Sequence, residues 1–126
     1  MPLPIENYMS PWKDNAWIRD ILAEWQLDRA TGGGDASLVY RMNTYSDTSP
    51  DAALALFVSL AEHSSPEDSC ELAERLEWLL HKHGVAYWDV MNELCKRVPQ
   101  FRDVMANVWG AGLPKDLRRK VEMWRA

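Results

Sequence analysis

Apolar residues recur along this chain three and four positions apart, and the recurrences are broken by proline and glycine. That spacing is the mark of helices that each hide one stripe against a neighbour. Trp17, Ile18, Ile21, Leu22 and Trp25 form the first stripe and predict a helix from about Asp14 to Ala30. Thr31-Gly32-Gly33-Gly34 ends it, since glycine forfeits helical preference and can take a left-handed cap. Asp35 is placed to cap a second helix over 36–46, with Leu38, Val39, Met42 and Tyr45 on one side.

Two further starts share one logic. In Ser49-Pro50-Asp51 and Ser65-Pro66-Glu67-Asp68, a hydroxyl is placed to cap, proline suits the first turn, and carboxylates meet the positive helix end. Helix three is predicted from Pro50 to about His63, with Leu54, Phe57, Val58 and Ala61 inward. Helix four is predicted from Pro66 to about His83, with Gly84 as its C-cap. Helix five spans about Ala86 to Val98. Pro99 stops it and opens helix six, where Phe101, Val104, Met105, Val108 and Trp109 recur helically. A last helix begins near Pro114, with Leu117, Val121 and Trp124 on one face. The expected fold is all-α, a compact bundle or short antiparallel stack of about six to seven short helices. Residues 1–13 are read as an irregular arm pinned by Tyr8 and Trp12, and 14–126 as a single helical domain.

The segment Leu76-Glu77-Trp78-Leu79-Leu80-His81-Lys82-His83-Gly84 resembles the Leu-Glu-x-Leu-Leu-x-x-x-Gly helix end of a family of uncharacterised bacterial helical domains. Pro99-Gln100-Phe101-Arg102 and Val108-Trp109 resemble that family's Pro-x-Phe-Arg and Val-Trp elements at the same spacing. The match covers residues 50–110. Glu74-Arg75 stand where the family has Gly-Pro, and Met105 replaces a usual Leu. The resemblance implies a bacterial origin and an α-helical fold; it carries no activity.

Composition adds three points. Seven tryptophans in 126 residues are expected mostly to fill the core, with one or two left on a partner-binding face. Cys70 and Cys95 are expected to be buried free thiols. Charge is segregated: residues 1–81 hold five Lys/Arg against fourteen Asp/Glu, whereas residues 82–126 hold nine against five. The basic last helix is therefore expected to pack beside the acidic face of helix four, and nucleic acid is disfavoured as a partner. No basic start with an apolar run and no membrane-length apolar stretch occurs, so no membrane partner is expected and the expected compartment is cytoplasmic.

Candidate chemistry is sparse. Glu77 and Arg102 stand out as a polar pair, structural or functional, that could join two helices. Glu77 and His81 share a helical face, but His83 points elsewhere, so no metal set is assigned. The glycine run lacks the Gly-Lys-Ser/Thr of a phosphate loop, and Asp35 follows it. No nucleophile motif occurs, and no catalytic residue or cofactor is assigned. The candidate binding surface is Trp78, His81, Trp88, Arg118 and Arg119. The expected function is a non-catalytic module that docks onto another protein, of an immunity or adaptor kind. The alternative is a small metal-dependent or hydrolytic enzyme centred on Glu77, His81 and Arg102.

Overall fold

A computed structural model describes residues 2–9 and 15–125. It is all-α, with no strand among the described residues. Six helices follow a short 3-10 turn at Ile5–Tyr8: α1 (Ala16–Ala30), α2 (Ala36–Thr48), α3 (Pro50–Glu62), α4 (Ser69–Arg97), α5 (Pro99–Ala106) and α6 (Lys115–Glu122). Trp12 and Asp14, which bear on the predicted arm and the predicted start of the first helix, lie outside the described residues. No helix among them is long and apolar enough to cross a membrane.

α3 is the axis of the fold. Every residue from Ala53 to Ala61 is buried, and the helix touches α1, α2, α4, α5 and the first 3-10 turn. Its sequence Ala-Leu-Ala-Leu-Phe-Val-Ser-Leu-Ala is apolar almost all round, as a fully enclosed helix requires. Burying each Leu or Phe there contributes roughly 1.5–3 kcal/mol, several times any helix-propensity difference. Packing, more than local preference, therefore holds this helix. The inward stripe expected from the sequence, Leu54, Phe57, Val58 and Ala61, is buried, but so are the residues between.

Helix starts follow the sequence signals in part. Asn15 and Asp35 cap α1 and α2, each side chain accepting from the backbone N–H three residues on, Ile18 and Leu38. Pro50 and Pro66 do sit in first turns, but neither Ser49 nor Ser65 makes the expected cap. Asp51 instead accepts the hydroxyl of Tyr8 at 2.5 Å, and Ser65 donates to Asp68 Oδ2 at 3.2 Å. Pro66–Asp68 form a 3-10 turn, and the α-helix proper begins at Ser69.

The larger departure is at Gly84. Predicted helices four and five are one helix, α4, of 29 residues, and Gly84 lies buried in its middle instead of capping an end. A Cβ there would meet Leu117 Cδ2 at 2.6 Å. The glycine is needed because α6 lies against α4 at this point, with Leu117 and Val121 buried. α6 thus docks through its apolar stripe. Its charges pair within the helix, Arg118 with Glu122 at 2.8 Å and Arg119 with Asp116 at 4.0 Å, and not with the acidic face of α4.

The N-terminal arm is tied to the bundle. Tyr8 is fully buried; its hydroxyl donates to Asp51 and accepts from the Leu3 backbone N–H at 2.8 Å. Of the six described tryptophans, Trp78 and Trp109 are exposed. Trp25 and Trp88 are buried, and Trp17 and Trp124 pack against the core. Trp25 donates its indole N–H to Ser64 Oγ at 3.0 Å, so its one polar atom is satisfied.

Candidate functional site

A groove of about 880 Å³ runs along the first half of α4, walled on its far side by Asn107 and Trp109. Its construction starts where α5 ends. Asn107 closes α5, and Gly110 then takes a left-handed backbone, φ +76°, which turns the chain across α4. Trp109 was expected on the buried stripe of that helix. Because α5 stops at Ala106, Trp109 falls outside the helical register and is 73% exposed.

Two side chains pin this turn. Glu77 Oε1 accepts the Gly110 backbone N–H at 2.6 Å. From the chain end, Arg125 Nη2 donates to the carbonyls of Val108 at 2.5 Å and Trp109 at 2.7 Å, and its guanidinium lies 5.8 Å from the Trp109 ring centre. Gly112 passes so close to the His81 ring that a Cβ there would stand 2.8 Å from the His81 ring carbon Cε1. Trp109 is thus exposed and yet held, with its backbone fixed on both sides.

The opposite wall is α4 itself. Trp78 is 42% exposed and donates its indole N–H to Asp47 Oδ1 at 2.8 Å, which orients the ring from α2. Arg75, half-buried, donates to Asn43 Oδ1 at 3.2 Å and to Glu74 at 3.4 Å, while its Nε–H is buried without an acceptor. Lys82 is exposed at the groove's end. Cys70 closes the other end. It is an exposed thiol, not a buried one, and donates to Asn107 Oδ1 at 3.6 Å. Cys95 is buried as expected, and its burial pushes the thiol up to about 12 against a smaller opposing pull from Arg102.

The groove therefore gathers three of the sequence-selected residues, Glu77, Trp78 and His81. It does not gather the rest. Arg102 is exposed on α5, whose buried face is Phe101, Val104 and Met105, and no ion pair joins it to Glu77 among the described residues. Glu77 binds a backbone N–H instead. Trp88 is buried where α6 lies on α4, and Arg118 and Arg119 are exposed on α6. Sequence reasoning missed Cys70, Arg75, Lys82 and Asn107 as groove residues. Cys70, Arg75 and Lys82 share α4 with the predicted site, so helical spacing could have pointed to them; Asn107 arrives through a long-range turn and had no local signal.

The groove is lined by two aromatic rings, Trp78 and Trp109, and by charges of both signs, Arg75 and Lys82 with Glu74 and Glu77. Cys70 and His81 lie eleven residues apart on one unbroken helix, about 16 Å along its axis at 1.5 Å per residue, too far for a thiol–imidazole pair. His63 and His83 are turned to the backbone carbonyls of Ser59 and Asp47. Among the described residues no three His, Cys, Asp or Glu side chains converge as a metal centre needs. No protein-family model, no curated protein and no solved structure matches this chain.

Proposed function

We propose that the chain is a non-catalytic interaction module, of an immunity or adaptor kind, that holds a segment of a partner protein in the groove between α4 and the turn at 107–113. The observation that carries this reading is Trp109: a large aromatic, mostly exposed, whose backbone is held by Glu77 and Arg125. Trp and Arg dominate the energetics of protein interfaces, and a residue whose backbone is already fixed has less freedom left to lose on binding. Trp78, oriented by Asp47, gives the groove a second aromatic wall, and the charge beside the rings is mixed, Arg75 and Lys82 with Glu74 and Glu77. A segment with a large apolar or aromatic residue is the partner chemistry this surface fits.

The test is site-specific crosslinking in the cells that make the protein. A photoreactive residue replacing Lys82 should yield a defined protein adduct, and Trp109→Ala should remove it. The same reagent at Arg102, outside the groove, should not yield that adduct. Equal adducts from both positions, or an adduct indifferent to Trp109, would sink the reading.

A further inference from the structure

We infer that the face formed by α6 and the second half of α4 docks the acidic end of α1 on a second copy of this chain. This surface is separate from the groove and does not depend on it. Two hollows, of about 410 and 480 Å³, lie side by side here and share Trp88 and Lys120. Val85 and Met123 stand beside them 75% and 78% exposed, large apolar side chains with no cover. Lys115 and Lys120 rim the hollows and enter no ion pair among the described residues, while the one carboxylate there, Asp116, leans on Arg119 at 4.0 Å. Lys96, lining the first hollow, pairs with Glu93 at 3.2 Å, so the rim is mixed but net positive, and exposed apolar side chains inside a polar rim mark a docking surface.

The complementary surface is at the other end of the same molecule. Glu24, Leu27, Asp28 and Asp35 surround the glycine turn after α1, with Leu27 67% exposed, and Tyr40, 73% exposed, lines the adjoining hollow that also contains Asp28. Two guanidiniums lie near these three carboxylates: Arg41, paired with Glu24 at 2.9 Å, and Arg29, against Gly33 but already held by Asp68 at 2.9 Å, so the cluster stays net acidic. Asp28 accepts the Asp35 N–H at 3.1 Å, and Asp35 caps α2, so the acidic groups are fixed in place and stay net negative. α1 packs on α3, whereas α6 packs on α4 and α5, so the two faces do not meet within one chain. Each presents an uncovered aliphatic side chain inside a rim of opposite net charge. A contact between them is head-to-tail: it leaves one free face of each kind and can propagate.

Sedimentation velocity and light scattering on the full chain test this. The average mass should rise with concentration up to about 1 mM, the scale of a weak contact. It should fall on raising salt from about 0.05 to about 0.5 M, which shortens the range of exposed charges. Lys115→Glu with Lys120→Glu, both on exposed positions, should weaken association by roughly tenfold or more. Glu24→Lys with Asp28→Lys should do the same, Glu24→Lys alone giving part of the effect if the turn is disturbed. Mixing the two reversed variants should produce a complex stable to the extent that the wild type is. A monomer at every concentration and salt would overturn the inference. So would association that ignores these reversals, or binding of an acidic peptide, a Glu-rich synthetic helix, by a chain that does not associate with itself.

Discussion

Leu117 rests on Gly84, the tip of one side chain occupying the place where the other residue would carry its Cβ, 2.6 Å away. Leu80 closes the same spot, 3.2 Å from that position, and both leucines are buried. Two effects oppose each other in Gly84→Ala. Alanine in a helix interior gains about 1 kcal/mol over glycine. Overpacking against two enclosed leucines costs about 1–3 kcal/mol. The variant is expected to lose about 1 kcal/mol net in urea unfolding. With Leu117→Ala also present, the added methyl has room, so the pair should cost clearly less than the two single changes together. Strict additivity would mean that the two residues do not share this space.

Glu77 is expected to matter through its hydrogen bond to Gly110 and not through Arg102. Glu77→Ala removes a charged acceptor from a part-buried N–H and should cost about 1.5–3 kcal/mol. Glu77→Gln keeps an acceptor at that position and should recover about half. The Gly110 amide should exchange its hydrogen faster in the alanine variant, and Trp109 emission should shift with it. Arg102→Ala, by contrast, should leave stability within about 0.5 kcal/mol, as an exposed surface change does. An equal cost at 77 and 102 would restore the ion pair that the structure does not show.

Stability is expected to fall at alkaline pH from three buried groups. Burial pushes the Cys95 thiol from 9.0 to about 12, burial with a hydrogen bond to Asp51 pushes the Tyr87 hydroxyl from 10.0 to about 12, and the same two causes push the Tyr8 hydroxyl well up. All three shifts are upward, so folding favours the neutral form. The stabilisation is complete below the unfolded-state value and is lost as pH rises towards the folded one. The decline should start near pH 9 with Cys95 and steepen above pH 10 with Tyr87 and Tyr8, each adding at most about 1.4 kcal/mol per pH unit. Cys95→Ala should flatten the first part of the curve, and Tyr87→Phe should reduce the second, which Tyr8 shares, whatever each does to stability at pH 7. Thermal midpoints measured from pH 7 to pH 11 read both.

The anchored arm gives a further expectation. Tyr8→Phe removes the hydroxyl that bonds both Asp51 and the Leu3 N–H, and should cost about 1–3 kcal/mol. Limited proteolysis should then cut within the first nine residues faster than in the wild type, before the helices are attacked. No change in that order would mean the ring alone holds the arm.

What could be read from the residue order, and what could not, divides by distance along the chain. Asn15 and Asp35 cap their helices by reaching three residues ahead, and Pro50, Pro66 and Pro99 mark first turns by their own ring. Such features are local, and periodicity with breakers located them. Gly84 defeated the same rule. A glycine after Lys-His looks like a helix end, but here it is a helical residue made small for Leu117, thirty-three positions later. Glu77 likewise was paired with Arg102 because both are charged residues of the elements that resemble a known family, while its partner in the structure is a backbone N–H at a turn with a left-handed glycine. Trp109 was placed on a stripe because the spacing continues past the point where the helix stops. The groove could be half anticipated, since Glu77, Trp78 and His81 share α4, but its second wall depends on where α5 ends and how Gly110 bends.

The continuity of α4 through Gly84 has a mechanical result. A break at that residue would have left two short helices free to swing, each with its own surface. Instead one stiff rod carries the groove at Trp78 and the basic face at Trp88, ten residues on, so the two stand about 15 Å apart along the axis at 1.5 Å per residue. Whatever occupies the first is set at a fixed offset from whatever occupies the second, and the spacing is that of a ruler, not a hinge.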